Sequence, residues 1–113
     1  MQTISPQKHD KAEVAAEFLS AMANPKRLLI LSSLVNEEMA VGALAGKVGL
    51  SQSALSQHLS KLRAQNLVTT RRDAQTIYYS SSSAAVLKVL KTLKEIYGEE
   101  VDTSEKVAQR RIA

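Results

Sequence analysis

The chain of 113 residues contains no cysteine and no tryptophan, only one phenylalanine and three tyrosines, two prolines and two histidines. Without thiols there is no disulfide framework, no thiolate metal site and no redox chemistry at sulfur. With so few aromatics, a hydrophobic fraction of 44% rests on Leu, Val, Ile and Ala, which suits packed helices better than an all-β sandwich. Long apolar runs are missing as well. Nothing approaches the roughly 18 to 20 consecutive apolar residues of a membrane span, and residues 1–13 lack the apolar stretch of a secretory signal. A cytoplasmic protein without a membrane partner is expected. There is no Gly-rich phosphate loop and no His–carboxylate pair beside a nucleophile, so no catalytic residue, metal ligand or cofactor is assigned. His9 with Asp10 and Glu13 is a grouping of ligand types, but it lies at a polar terminus, and Met22 and Met39 read as gap-filling apolar residues.

Acidic charge is scarce in one stretch only. Residues 1–38 hold 4 basic and 5 acidic groups, and residues 95–113 hold 3 and 5. Between them, residues 39–94 hold 8 basic groups against Asp73 alone. A central block of net charge +7 between slightly acidic ends directs attention to a polyanion-binding element there.

The periodicity divides the chain into a polar, flexible N-terminus over 1–9, one domain over 10–97 and a polar tail over 98–113. Val14, Ala15, Phe18, Leu19 and Met22 recur at helical spacing and predict a first helix over about 10–23. Asn24 before Pro25 is a helix start, since Asn caps free amides and Pro fits the first helical position. That second helix runs to about Val35 and is expected to bury Leu28, Leu31, Leu34 and Val35. After a polar break at residues 36–38, Val41, Leu44, Ala45 and Val48 fit a two-turn helix ending at Gly49, a residue suited to a left-handed cap. Ser51 then caps a helix with Ala54, Leu55, His58, Leu59 and Leu62 on one face. Past Asn66 the pattern changes to alternation, and the runs 67–72 and 76–80 predict a β-hairpin. The serines at 80–83 are expected to cap a last helix over 84–97. Its apolar residues cover more than one face, as a helix packed against two things does.

Short helix, Gly-containing turn, polar-faced helix and hairpin fit a helix-turn-helix followed by a wing, in a mainly α fold of about five helices. The DNA major groove admits one helix, whose outward side chains must both donate and accept hydrogen bonds. Gln52, Ser53, Ser56 and Gln57 meet that need, with Gln57 and Ser53 the foremost base readers and Ser56 as suited to phosphate. Ser51 opens the same helix. Lys61, Arg63, Arg71 and Arg72 bracket it where phosphates would lie, and Arg72 with Gln75 at the wing also suits a minor groove. His58, between the Leu55 and Leu62 rows, reads first as a half-buried structural imidazole that also bonds a phosphate. Of Tyr78 and Tyr79, one belongs to the core and the other to a rim.

The run from Leu50 to Arg63 (LSQSALSQHLSKLR), with Leu67-Val68, Arg71-Arg72, Ile77-Tyr78-Tyr79 and the stretch Asn24 to Leu34, resembles the ArsR/SmtB family of winged-helix bacterial repressors over about residues 10–97. The resemblance implies a homodimer joined through its first and last helices, here Val14, Phe18, Leu19, Val86, Leu90, Leu93 and Tyr97. It also implies two recognition helices in successive major grooves of double-stranded DNA at a pseudo-palindromic operator. Many members of that family sense metal through a Cys-Val-Cys motif at the start of the third helix. Ala40 and Gly42 stand at the matching positions here, which removes that site. The last helix holds no His and only Glu95, too few groups for the His–carboxylate site of other members. The expected function is a repressor without cysteine-based sensing. Two alternatives stand beside it: the same DNA binder released by a small ligand or metal at an unusual site on the dimer interface, and a winged helix used for protein or RNA contact.

Overall fold

A computed structural model describes residues 6–98 of the chain. The elements run α1 (Pro6–Met22), α2 (Pro25–Asn36), β1 (Met39–Ala40), α3 (Val41–Val48), α4 (Gln52–Ala64), β2 (Thr69–Asp73), β3 (Thr76–Ser80) and α5 (Ala84–Tyr97). Local chemistry sets most of these boundaries. Asn24 Oδ1 accepts the Arg27 amide at 3.1 Å, with Pro25 in the first helical position. Ser51 Oγ accepts the Ala54 amide at 3.1 Å, and Ser83 Oγ the Val86 amide at 3.2 Å. Gly49, at φ 73°, closes α3, and the Leu50 amide reaches back to the Ala45 carbonyl at 3.0 Å. Asn66 at φ 60° ends α4 in the same left-handed region, which Asn tolerates better than most residues.

Two boundaries depart from expectation. Helix α1 begins at Pro6, so residues 6–9 of the polar stretch expected outside the fold are helical; residues 1–5 and the expected tail from 99 onward lie outside the described residues. The second departure is β1, two residues long. No period can be read from two residues, and their partner lies about forty positions downstream.

The three strands form one antiparallel sheet in the order β1-β3-β2. Met39 stands opposite Tyr79 and Ala40 opposite Tyr78, while Arg71 stands opposite Tyr78 and Arg72 opposite Ile77. Since side chains alternate along a strand, Met39 and Tyr79 share the face that packs on the core. Tyr78 lies on the outer face and is the rim residue. The hairpin turns on Ala74 and Gln75, with Ala74 at φ 56°.

Helix α2 lies at the centre, with α1, α3, α5 and β3 packed on it. Its buried arc is therefore wider than one stripe: Ile30 is buried with Leu31 and Leu34, whereas Leu28 and Val35 are half-buried at the margin. Leu44, Ala45 and Val48 of α3 and Leu55, Leu59 and Leu62 of α4 complete the centre of the core. The linker into α5 is fixed by Ser81, whose Oγ donates to the Leu67 carbonyl at 2.7 Å and whose amide donates to the Leu34 carbonyl at 3.1 Å. Among the described residues no helix is long and apolar enough to cross a membrane.

The outer helices are less complete. Val14 and Leu19 of α1 and Leu87, Ile96 and Tyr97 of α5 are exposed, up to 70% for Tyr97. Phe18 and Leu90 rest partly on the core and Leu93 is half-buried. Val86 corrects the expected interface. It is wholly buried in its own chain and has no surface to offer a second copy. The first turn of α5 points it inward and leaves Leu87 outward.

Candidate nucleic-acid interface

Helix α4 is anchored by the wholly buried side chains of Leu55, Leu59 and Leu62. At about 100° per residue, these positions define the inner face and put Ser53, Gln57 and Ser60 at the crest of the outer one. Gln52, Ser53, Ser56, Gln57, Ser60, Lys61 and Arg63 are all exposed. Lys61 and Arg63 are two positions apart and so point roughly 200° from each other, one on each edge of that crest. The outer face thus carries groups that donate and accept in its middle and cations on both flanks.

Not every expected residue stands equally free. Ser51 Oγ accepts the Ala54 amide as the cap of α4, which leaves its hydroxyl hydrogen to donate elsewhere. The Gln52 amide leans toward α3: a Cβ at Gly42 would lie 3.6 Å from its Nε2. Gln75 is exposed in the wing turn. Lys61, Arg63 and Arg72 have no ion pair or hydrogen bond among the described residues.

Arg71 differs from the other cations. Its Nη2 donates to Glu38 Oε1 at 2.7 Å and its Nε to Glu38 Oε2 at 3.0 Å, while the guanidinium carbon lies 4.8 Å from the centre of the Tyr78 ring. The phosphate contact expected of Arg71 meets a competitor: the Nε–Nη2 edge of its guanidinium is occupied by the Glu38 carboxylate. The pairing holds the Glu38 carboxyl below its ordinary value, chiefly through the hydrogen bond from Arg71, and raises Arg71 in turn.

His58 is half-buried, as a structural imidazole should be. Its Nδ1 accepts from Arg27 Nε at 3.0 Å, which places the proton of the neutral ring on Nε2. Partial burial lowers its pKa first, and the charges of Arg27 and Lys61 lower it further. The ring is a fixed point of α4 rather than a standing cation.

Two residues of the site carried no assignment in the sequence reading. Lys26 Nζ donates to the Val48 carbonyl at 2.6 Å, covering the end of α3 beside the turn. Arg27 binds His58 and also sends Nη1 to the Ala21 carbonyl at 3.3 Å, closing the end of α1. A signal was present. Cations in the first turn of a helix oppose its dipole, so Lys26 and Arg27 directly after Pro25 need partners elsewhere. They find them at the carbonyl ends of two other helices.

The arrangement offers hydrogen bonds and positive charge on a helix and a hairpin. Comparison with known proteins gives concordant results. A family model described as "Bacterial regulatory protein, arsR family" matches residues 24–70. The nodulation protein NolR of Rhizobium meliloti is 78% identical over 105 residues, 93% of this chain and 86% of that protein. A crystal structure of NolR from Sinorhizobium fredii superposes with a TM-score of 0.81 at 81% identity, covering 88% of this chain and 99% of that one. A homodimeric winged helix-turn-helix DNA-binding domain from Mycobacterium bovis, Mb0332, reaches a TM-score of 0.76 at 28% identity over 87% of this chain and 91% of its own.

Proposed function

The chain belongs to the ArsR family of bacterial regulatory proteins, and from that premise we propose that it is a homodimeric repressor that binds a pseudo-palindromic operator and occludes a promoter. The observation that carries this reading is the outer face of α4, where Ser53 and Gln57 stand between Lys61 and Arg63. Gln is suited to pair bidentately with adenine in the major groove, and the flanking cations suit phosphates on either side. Ser51, Gln52 and Ser56 supply further polar contacts, His58 Nε2 is a donor at the edge of α4, and Arg72 with Gln75 extends the contact through the wing.

A second copy is assigned to the outer faces of α1 and α5, where Val14, Phe18, Leu19, Leu90, Leu93 and Tyr97 are joined by Leu87 and Ile96. Exposed apolar side chains of this size on two helices that both pack on α2 favour burial against a partner, and the homodimeric Mb0332 domain has the same fold. A dimer sets the two α4 helices into successive major grooves, with half-site centres about 34–36 Å apart. A regulator of this kind works in the cytoplasm, where the chromosome is. Its signal, if one acts on it, does not pass through thiol chemistry.

Selection of bound sequences from randomised DNA, with and without chelator, tests the reading. It is expected to enrich inverted half-sites about 10 base pairs apart, equally in both conditions. No enrichment would overturn sequence-specific binding, and a chelator effect would replace the metal-independent reading. Lys61→Ala is expected to weaken binding to all DNA and to flatten the plot of log affinity against log salt by about 0.9 per phosphate contact, or about twice that for a dimer.

A further inference from the structure

Arg71 and Arg72 are neighbours on β2 with opposite circumstances. Arg72 faces the side of Ile77 and has no partner among the described residues. Arg71 faces the side of Tyr78 and Ala40, and Glu38 immediately precedes β1. Its bidentate bond to Glu38, with the guanidinium over the ring of Tyr78, ties β2 across the middle strand to the residue that leads into β1. The backbone link it reinforces is slight, because β1 contributes two residues and runs straight into α3.

Resting on the DNA-binding reading above, we propose that Glu38 is a positioning residue for the wing: it withholds Arg71 from DNA phosphate, so that Arg71 orients the hairpin on the helix-turn-helix and Arg72 is the strand's phosphate contact. Two considerations support this. The carboxylate already neutralises the guanidinium charge and takes its Nε–Nη2 edge, one of the two edges at which a phosphate could bind in bidentate fashion. A phosphate that displaced it would leave the Glu38 charge bare beside a polyanion, a cost that Arg72 does not incur. The pair is exposed and adds little to folding stability, so variants at either partner are expected to stay folded.

The experiment measures affinity for operator and for random DNA across salt concentrations with the full chain, for wild type and for Arg71→Ala, Arg72→Ala, Glu38→Gln and Glu38→Ala. Thermal unfolding of each variant checks that it is folded. Arg71→Ala is expected to keep the wild-type salt slope while losing operator affinity more than random-DNA affinity. Arg72→Ala is expected to flatten the slope by about 1.8 for a dimer with two wings. Releasing Arg71 with Glu38→Ala, and in the same direction with Glu38→Gln, is expected to steepen the slope by about 1.8, so that a fourfold rise in salt costs about 12-fold more affinity than in wild type. Adding Arg71→Ala to Glu38→Ala should restore the wild-type slope. A slope flattened by Arg71→Ala alone, or unmoved by Glu38→Ala, overturns the proposal while leaving DNA binding intact. Absence of salt-dependent DNA binding by the wild type would instead overturn the reading on which it rests.

Discussion

Helices α4 and α5 are of nearly equal length, 13 and 14 residues, and both lie at the surface, yet they expose opposite materials. Helix α4 buries three leucines completely and presents Gln, Ser and basic groups outward. In α5 Val86 is the one fully buried residue, and Leu87, Ile96 and Tyr97 face outward. Three buried anchors fix α4 within a single chain, and a face of hydrogen-bonding groups loses little by standing in water until a polar partner arrives. An apolar face gains from a protein partner, which is why the proposed dimer is assigned to α5. In that proposal α4, anchored in one chain, reads sequence, and α5, completed by a second copy, sets the distance between two readings.

The strongest way to break this contrast is to put charge on α5. A chain with Leu87→Glu and Ile96→Glu is expected to sediment as a folded monomer. It should lose about 10²- to 10⁴-fold in operator affinity, because the second half-site no longer binds at high effective concentration. A dimer with full affinity would move the interface away from α5. A smaller effect belongs to α4. Gln57→Ala is expected to cost about 1–3 kcal/mol of operator affinity and almost nothing on random DNA, measured by titration on both; equal losses would place Gln57 on phosphate.

The smallest effect concerns how α4 is held. The folded-state pKa of His58 lies below its ordinary value near 6.5, so as pH falls the unfolded chain takes up this proton first. The contribution of His58 is complete above about pH 6.5 and declines as pH drops toward the folded value. Urea midpoints at about pH 7.5 and 5.5 should therefore differ in the wild type and differ less in His58→Gln. Glu38 is also depressed and acts in a separate window: its contribution is present above about pH 4.5 and lost below it.

Much of this architecture was legible because it is written locally. Asn24, Gly49, Ser51 and Ser83 act on amides or carbonyls within a few residues of themselves, so the starts of α2, α4 and α5 and the end of α3 follow from short words in the chain. The polar crest of α4 follows from helical spacing alone. What escaped was settled at a distance. The Arg71–Glu38 and Arg27–His58 bonds join residues 33 and 31 positions apart, and no pattern within either segment announces its partner. Val86 and Leu87 illustrate a third limit. A helix apolar on two sides does not reveal which side its own chain fills, and here the packing against α2 decides it.

The pairing of Met39 with Tyr79 has a consequence for how such proteins diversify. It brings the beginning and the end of the segment 39–80 to adjacent positions, so everything between them departs from one place on the scaffold and returns to it. A segment with touching ends can be exchanged as a cassette without changing the distance its flanks must span, provided the leucines beneath it are matched. The outer face of α4 and the wing travel together in that cassette, while α1 and α5 stay behind. Under the proposed function, operator sequence and half-site distance then vary in separate steps, provided that the contacts Lys26, Arg27 and Glu38 make into the segment are kept.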